Sequence, residues 1–194
     1  LKFRGEQTKL VIGRRNIFRE FVTIHRGTRG GGGVTRIGDR NVFMAYVHVG
    51  HDCTVGSHVI MANNSSVSGH VRVGDHANIG GYAGIPQRRT IGAYTMIGGM
   101  SLVLKDVPAY VSVSGNPAAA VGMNVEGMRR RGLANDVIEA LKEAYRIVYR
   151  GSYTVKAALV AVEALATQAA KTLRAQQLKP FRHRHEGYCR ANPL

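Results

Sequence analysis

Large apolar residues return every six positions through the first half of the chain: Ile37, Phe43, Val49, Val55, Met61, Val67, Val73, Ile79, Ile85, Ile91, Ile97 and Val103. An amphipathic helix repeats its apolar face at three and four, so this period excludes one and calls for short strands joined by turns in a solenoid. Three hexads close one triangular coil of about 18 residues. The fourth residue after most of these positions is small or aliphatic (Val47, Cys53, Val59, Ser65, Val71, Ala77, Ala83, Thr95, Ser101, Val107), which predicts a second inward side chain per turn. Glycine often follows the apolar residue, as in Val49-Gly50, Val73-Gly74 and Ile79-Gly80, and predicts tight corners there. The same period runs earlier through Ile12, Phe18 and Ile24, until a glycine loop from Gly27 to Arg36 interrupts it. So narrow an interior is expected to hold no cofactor.

Beyond Val107-Pro108 the spacing becomes helical. Asn135 is placed to cap a helix running to Arg150, with Val137, Leu141, Ala144, Tyr145 and Val148 on one face and Gly151 as its stop, and a second helix is expected near Thr154 to Ala166. The predicted division is a solenoid over 1–110 and a helical domain over 111–194, whose first task is to cap the open end of the coils.

Hydrophobic residues at 44% and charged residues at 20% are enough for a real core. No apolar run reaches the length of a membrane span, and no leader is recognisable, so a soluble cytoplasmic protein without membrane insertion is expected. The chain opens at Leu1 rather than Met and reads as an N-terminally truncated fragment. Cys53 and Cys189 are too few for a disulfide framework and read as free thiols. A net charge of +15 raises nucleic acid as a partner, but no zinc finger, RNA-binding signature or Walker loop is present, and aromatics are only 7%. A phosphorylated substrate or an acidic protein accounts for the sign equally well.

Residues one coil apart stack at about 4.8 Å, the ordinary inter-strand distance. His51, Gly69 and Gln87 therefore form one column, and Asp52 and His70 its neighbour. A histidine oriented by a carboxylate is equipped to take the proton of an attacking hydroxyl, with a glycine N–H beside it for an oxyanion. Two other readings stand at this level: polar decoration of strand positions, and a metal site drawn from His48, His51, His70 and His76.

The segment His48-Val49-Gly50-His51-Asp52-Cys53-Thr54-Val55-Gly56, with Phe21 to Thr28 upstream and Asn63-Asn64, Gly69-His70 and Gly80-Gly81 downstream, narrows the choice. So does Gly122-Met123-Asn124-Val125-Glu126-Gly127-Met128-Arg129-Arg130-Arg131-Gly132. From Leu1 to about Tyr149 the chain resembles the UDP-N-acetylglucosamine O-acyltransferase family. The resemblance implies a mainly β fold, a left-handed parallel β-helix of hexapeptide repeats followed by a C-terminal α-helical domain. It implies transfer of a 3-hydroxyacyl chain from acyl carrier protein to the sugar 3-hydroxyl of UDP-N-acetylglucosamine, at the start of lipid A synthesis, by a homotrimer without metal or cofactor. His51 would be the general base, Asp52 its partner and Gly69 N–H the oxyanion donor. His48, His70 and Gln87 would bind substrate, and Lys2, Asn124, Glu126, Arg130 and Arg131, in the segment 122–132, the nucleotide side. Gly99 matches the position that limits acyl length and implies a longer acyl group. The alternatives are another hexapeptide-repeat acyl- or acetyltransferase, or a zinc carbonic anhydrase-like protein.

Two stretches depart from the family's pattern. In Ile85-Pro86-Gln87-Arg88-Arg89-Thr90, Pro86 stands where the family usually has histidine and Arg89 falls on an inward position, so either this coil is locally displaced or the coding sequence carries an error there. Pro117 replaces another family histidine, and the basic run Phe181 to Arg190 is expected to lie outside the family's pattern.

Overall fold

The computed structural model describes residues 4–169. They form a three-sided prism of parallel coils. Its first face carries β1 (Lys9–Ile12), β4 (Val34–Ile37), β7 (Thr54–Val55), β10 (Arg72–Val73) and β13 (Thr90–Ile91). The second carries β2 (Ile17–Phe18), β5 (Val42–Phe43), β8 (Ile60–Met61), β11 (Asn78–Ile79), β14 (Met96–Ile97), β15 (Val111–Gly115) and β16 (Ala118–Met123). The third carries β3 (Thr23–Ile24), β6 (His48–Val49), β9 (Ser66–Val67) and β12 (Gly84–Ile85).

Both inward positions of the hexad are filled as expected: Phe43, Val49, Met61, Val67 and Ile79 are fully buried, as are Val47, Cys53, Val59 and Val71 four residues on from their partners. The corners differ from expectation. The left-handed residue stands three positions after the apolar one and is not glycine: Arg40, Tyr46, Asp52, His58, Asn64, His70, His76, Tyr82, Arg88, Tyr94 and Met100 all have φ between 55° and 62°. The glycine that follows the apolar residue answers a different constraint, the approach of the next coil. A Cβ on Gly74 would lie 2.5 Å from Ala93 N, and one on Gly50 2.6 Å from Gly69 N.

Three corner columns result. Arg40, His58, His76, Tyr94 and Tyr110 join the first and second faces, and from His58 to Tyr110 their rings form an unbroken stacked ladder with centroids 4.6–5.2 Å apart. Tyr46, Asn64, Tyr82 and Met100 join the second and third. Asp52, His70 and Arg88 join the third and first.

The coil from Ile85 to Thr90 is not displaced. Thr90 pairs with Arg72 in register, Arg88 N donates to Gly69 O at 3.1 Å, and Arg89 avoids the interior by donating its Nε to Gln87 O at 3.2 Å. The boundary expected at residue 110 falls inside the sheet, because Val111 and Val113 re-enter the inward register after Pro108 and β15 pairs in parallel with β14. Helix α1 (Val125–Arg130) is capped by Asn124, whose Oδ1 accepts Gly127 N at 3.0 Å. Helix α2 (Asn135–Tyr149) buries Val137, Ile138, Leu141, Ala144 and Tyr145, close to the expected face. Its cap position is Ala134 rather than Asn135, and Asp136 Oδ1 accepts Val137 N in the first turn. Helix α3 (Val155–Ala169) follows near the expected place and packs on α2.

Gly74→Ala should destabilise the fold by about 1–3 kcal/mol, the usual range for overpacking. Gly122→Ala, where an added Cβ meets nothing within 4 Å, should leave stability unchanged. Denaturant midpoints of the two variants check the contrast.

Candidate active site

Histidine and aspartate tolerate left-handed backbone better than most residues, so a prism corner can carry them at little cost. Asp52 and His70 both stand at such corners, and His51 immediately precedes one. His70 N donates to His51 O at 2.9 Å, and with Arg88 N on Gly69 O this stacks the predicted columns His51–Gly69–Gln87 and Asp52–His70. The second column continues to Arg88.

His51 Nδ1 lies 2.7 Å from Asp52 Oδ2, and His70 Nε2 lies 3.9 Å from the same oxygen. The two rings meet edge to face with centroids 5.0 Å apart. With Nδ1–H given to the carboxylate, the His51 tautomer leaves Nε2 as an open acceptor. That atom stands over Gly69, where a Cβ would lie 2.5 Å away, so only glycine admits the ring. Among the described residues no hydrogen bond uses the Gly69 amide.

The glycine loop explains why Asp52 stays charged in a site its side chain does not share with solvent. Thr28 N donates to Asp52 Oδ1 at 2.7 Å and Thr28 Oγ1 to Oδ2 at 2.6 Å, while Asp52 N donates to Thr35 Oγ1 at 2.8 Å. Gly31 packs directly on the carboxylate, and any side chain there would strike it. Burial pushes the Asp52 carboxyl up, but the Thr28 hydroxyl and amide and the His51 ring outweigh it and hold it below the usual aspartate range. Sequence reasoning assigned Thr28, Gly31 and Thr35 no role. Their signal is the 25-residue offset between the first two coils, Ile17 with Val42 and Thr23 with His48, produced by the loop.

On the third face His48 Nδ1 lies 2.8 Å from Thr23 Oγ1, its ring meets His25 edge to face at 4.7 Å, and burial together with His25 lowers its pKa. Gln87 is exposed two coils from His51. Gly99 is exposed beside the Met100 corner, where an added Cβ would lie 3.3 Å from Gly81 O. Cys53, free as expected, donates Sγ–H to Ser68 O at 2.9 Å and its thiol is pushed up to about 11 by burial, so it is no nucleophile. Lys2, Cys189 and the basic run 181–190 lie outside the described residues.

The residues expected on the nucleotide side gather elsewhere. Asn124 Nδ2 donates to Tyr94 O at 2.9 Å and Asn124 N to Tyr110 O at 2.8 Å, which fixes α1 on the ring-ladder corner. Arg131 bears electrostatically on His76 of the same ladder, and Glu126 pairs with Arg130 at 2.9 Å. Within one chain Asn124, Glu126, Arg130 and Arg131 are thus a full prism face away from His51.

The metal reading is narrowed by distance. Donor atoms of His51, Asp52 and His70 lie within 4.8 Å of one another. The 2.7 Å between His51 Nδ1 and Asp52 Oδ2 is a hydrogen bond, shorter than the roughly 3.3 Å edge of a tetrahedral zinc shell built from bonds of about 2.0–2.1 Å. His76 stands on the ring ladder and His48 is engaged by Thr23, so the four histidines do not converge.

A prism of hexads is the architecture of the hexapeptide-repeat class, and residues 35–69 match the model described as bacterial transferase hexapeptide (six repeats). Residues 106–189 match the model described as Udp N-acetylglucosamine O-acyltransferase; Domain 2, a match that takes in all but the last residue of the basic run expected to depart from the family. Acyl-[acyl-carrier-protein]--UDP-N-acetylglucosamine O-acyltransferases of Burkholderia thailandensis and Burkholderia lata are 51% identical over 166 residues, 86% of this chain. The chain spans 63% of the length of these relatives. The crystal structure of UDP-N-acetylglucosamine O-acyltransferase from Moraxella catarrhalis superposes with a TM-score of 0.89 at 46% identity, covering 98% of this chain and 73% of that one. The UDP-N-acetylglucosamine acyltransferase of Francisella novicida superposes with a TM-score of 0.90 at 34% identity, covering 97% and 68%. The chain belongs to the UDP-N-acetylglucosamine O-acyltransferase family, and its coils are a left-handed parallel β-helix.

Thr28→Val keeps shape and removes the hydroxyl. A carboxylate whose folded pKa is depressed adds stability above its unfolded pKa, and that stability is lost as pH falls through the folded value. The variant should therefore titrate Asp52 at higher pH in carboxyl NMR and lose about 1–3 kcal/mol near neutrality, the range for a disrupted buried hydrogen bond. An unchanged titration would contradict the cradle.

Proposed function

We propose that the chain belongs to an enzyme that moves a 3-hydroxyacyl group from acyl carrier protein to the sugar 3-hydroxyl of UDP-N-acetylglucosamine, at the start of lipid A synthesis. The observation that carries the reading is the His51–Asp52 bond of 2.7 Å, with His51 Nε2 open above Gly69. His51 Nε2 takes the proton of the sugar 3-hydroxyl as its oxygen attacks the thioester carbonyl. The Gly69 amide receives the resulting oxyanion, and Asp52 steadies the imidazolium. On collapse the carbon–sulfur bond breaks and the imidazolium proton goes to the departing thiolate. His70 and His48 hold the sugar at this corner, Gln87 flanks it two coils along, and Gly99 leaves the acyl channel open toward a longer chain. The relatives' names supply the donor and acceptor.

Asn124, Glu126, Arg130 and Arg131, with Lys2, bind the nucleotide, where guanidinium forks suit a diphosphate. Because they stand on a different corner from His51, they serve a neighbouring chain's histidine in a homotrimer. The outward second-face residues Ile17, Val42, Ile60 and Met96, with the polar Asn78 between the last two, and the exposed corner residues Phe21, Tyr46, Tyr82 and Met100 are the largely apolar surface such packing would cover. The longest described helices are too short or too polar to cross a membrane, in keeping with an enzyme that meets its carrier and nucleotide in the cytoplasm.

His51→Ala should lower turnover about 10²- to 10⁴-fold, the usual worth of a general base. Transfer by the unaltered chain should be insensitive to a chelator. Loss of activity with chelator, restored by zinc, would instead favour the metal reading.

A further inference from the structure

Four rings share one corner of the prism, and the chemistry proposed for His51 uses none of them. His58, His76, Tyr94 and Tyr110 stand one per coil where the first face turns into the second, and their rings stack in sequence with centroids 4.7, 4.6 and 5.2 Å apart. On the corner between the second and third faces Asn64 separates Tyr46 from Tyr82, so the rings there do not form a run.

The upper rungs carry α1. Asn124 N donates to Tyr110 O and Asn124 Nδ2 to Tyr94 O, and both tyrosines share an apolar cluster with Met128 of α1 and with Ile138 and Leu141 of α2. Arg131 closes α1 as its C-terminal cap residue. From Asn124 to Arg131 a helix advances about 10 Å, the height of two coils, so one that starts against Tyr110 has the length to bring its end level with His76. The electrostatics agree: burial first, then the charges of Arg131 and His58, lower the pKa of His76 against the pull of Asp75. The ring is therefore uncharged near neutrality, the form that tolerates a neighbouring guanidinium.

His76 Nδ1 is buried and, among the described residues, has no hydrogen-bond partner. An unpaired buried nitrogen costs stability, so His76 contributes as a flat ring, stacked on His58 at one side and on Tyr94 at the other. Removing that ring would take the support from under Tyr94, whose carbonyl holds Asn124, and would change the level at which Arg131 stands.

We propose that His76 is a positioning residue for the nucleotide side: as the rung beneath Tyr94 it sets where Arg131 stands, and through Arg131 the affinity for a nucleoside diphosphate sugar. This rests on the acyl-transfer reading above and adds to it a residue that acts through Arg131 rather than on the substrate.

The test is steady-state transfer by His76→Ala and His76→Phe chains, with UDP-N-acetylglucosamine and the acyl carrier thioester varied in turn. His76→Ala should raise KM for the nucleotide sugar about fivefold or more, within the range of coupling through packed side chains. Both kcat and KM for the acyl donor should stay as in the unaltered chain, because His51 stands on another corner. His76→Phe, which keeps the stacked ring and drops both nitrogens, should restore the low KM. If His76→Ala does not fold, His76→Gln, which keeps bulk without a ring, takes its place with the same expected rise. An unchanged KM for the nucleotide sugar in the folded ringless variant, a fall in kcat alone, or a His76→Phe chain equally impaired overturns the positioning role. An unaltered chain that neither binds nor acylates UDP-N-acetylglucosamine overturns the acyl-transfer reading, and this role with it.

Discussion

Coil-to-coil hydrogen bonding is the constraint from which the rest follows. Gly50 N on Val67 O, Gly56 N on Val73 O and Gly80 N on Ile97 O, each 2.8 Å, repeat one contact up the prism. Where this ladder brings the backbones closest, the residue after the inward apolar side chain is left bare, as at Gly50, Gly74 and Gly80. It also turns sequence distance into vertical distance. A residue in the middle coils lies above the one 18 before it, and chemistry is built by choosing what stands in one column.

The His51–Asp52 corner is a product of that rule and one exception to it. The rule stacks Gly69 on His51 and His70 on Asp52. The exception is the glycine loop, whose extra length shifts the first coil to a 25-residue offset and lets Thr28 fold back onto the carboxylate. Without the loop Asp52 would be a buried carboxyl with too few donors, tending toward its neutral form. With it, the carboxylate stays charged and fixes the His51 tautomer. Gly31 is small for the same reason that Gly69 is small: each lies against one member of the pair.

Much of this was legible in the sequence. The hexads give the inward positions, and their 18-residue spacing brings His51, Gly69, Asp52 and His70 together. Thr28 and Thr35 were not legible, because the loop breaks the period and the columns can be followed across it only if the 25-residue offset is recognised from Ile12 and Ile37. The corner was assigned to glycine on conformational grounds, whereas Asp, His, Asn, Tyr and Arg occupy the left-handed positions and glycine the close approaches. Arg89, expected to distort its coil, instead turns its guanidinium along the surface to Gln87, which a long side chain permits and a residue type alone does not reveal. The position of Asn124 and Arg131 also escaped, because β16 and α1 lie beyond the repeat and only the bonds of Asn124 to the Tyr94 and Tyr110 carbonyls fix their corner.

On the proposed reading, stacking puts His51 and the Asn124–Arg131 residues on different corners, so that each working site needs two chains. Mixing His51→Ala chains with Arg131→Ala chains, each inactive alone, and allowing them to reassemble in equal amounts tests it directly. In a closed ring of three, a site works only where an unaltered His51 meets an unaltered Arg131 from its neighbour, so transfer should return to about a quarter of the unaltered rate. No recovery in mixed assemblies shown to contain both chains would contradict the shared site.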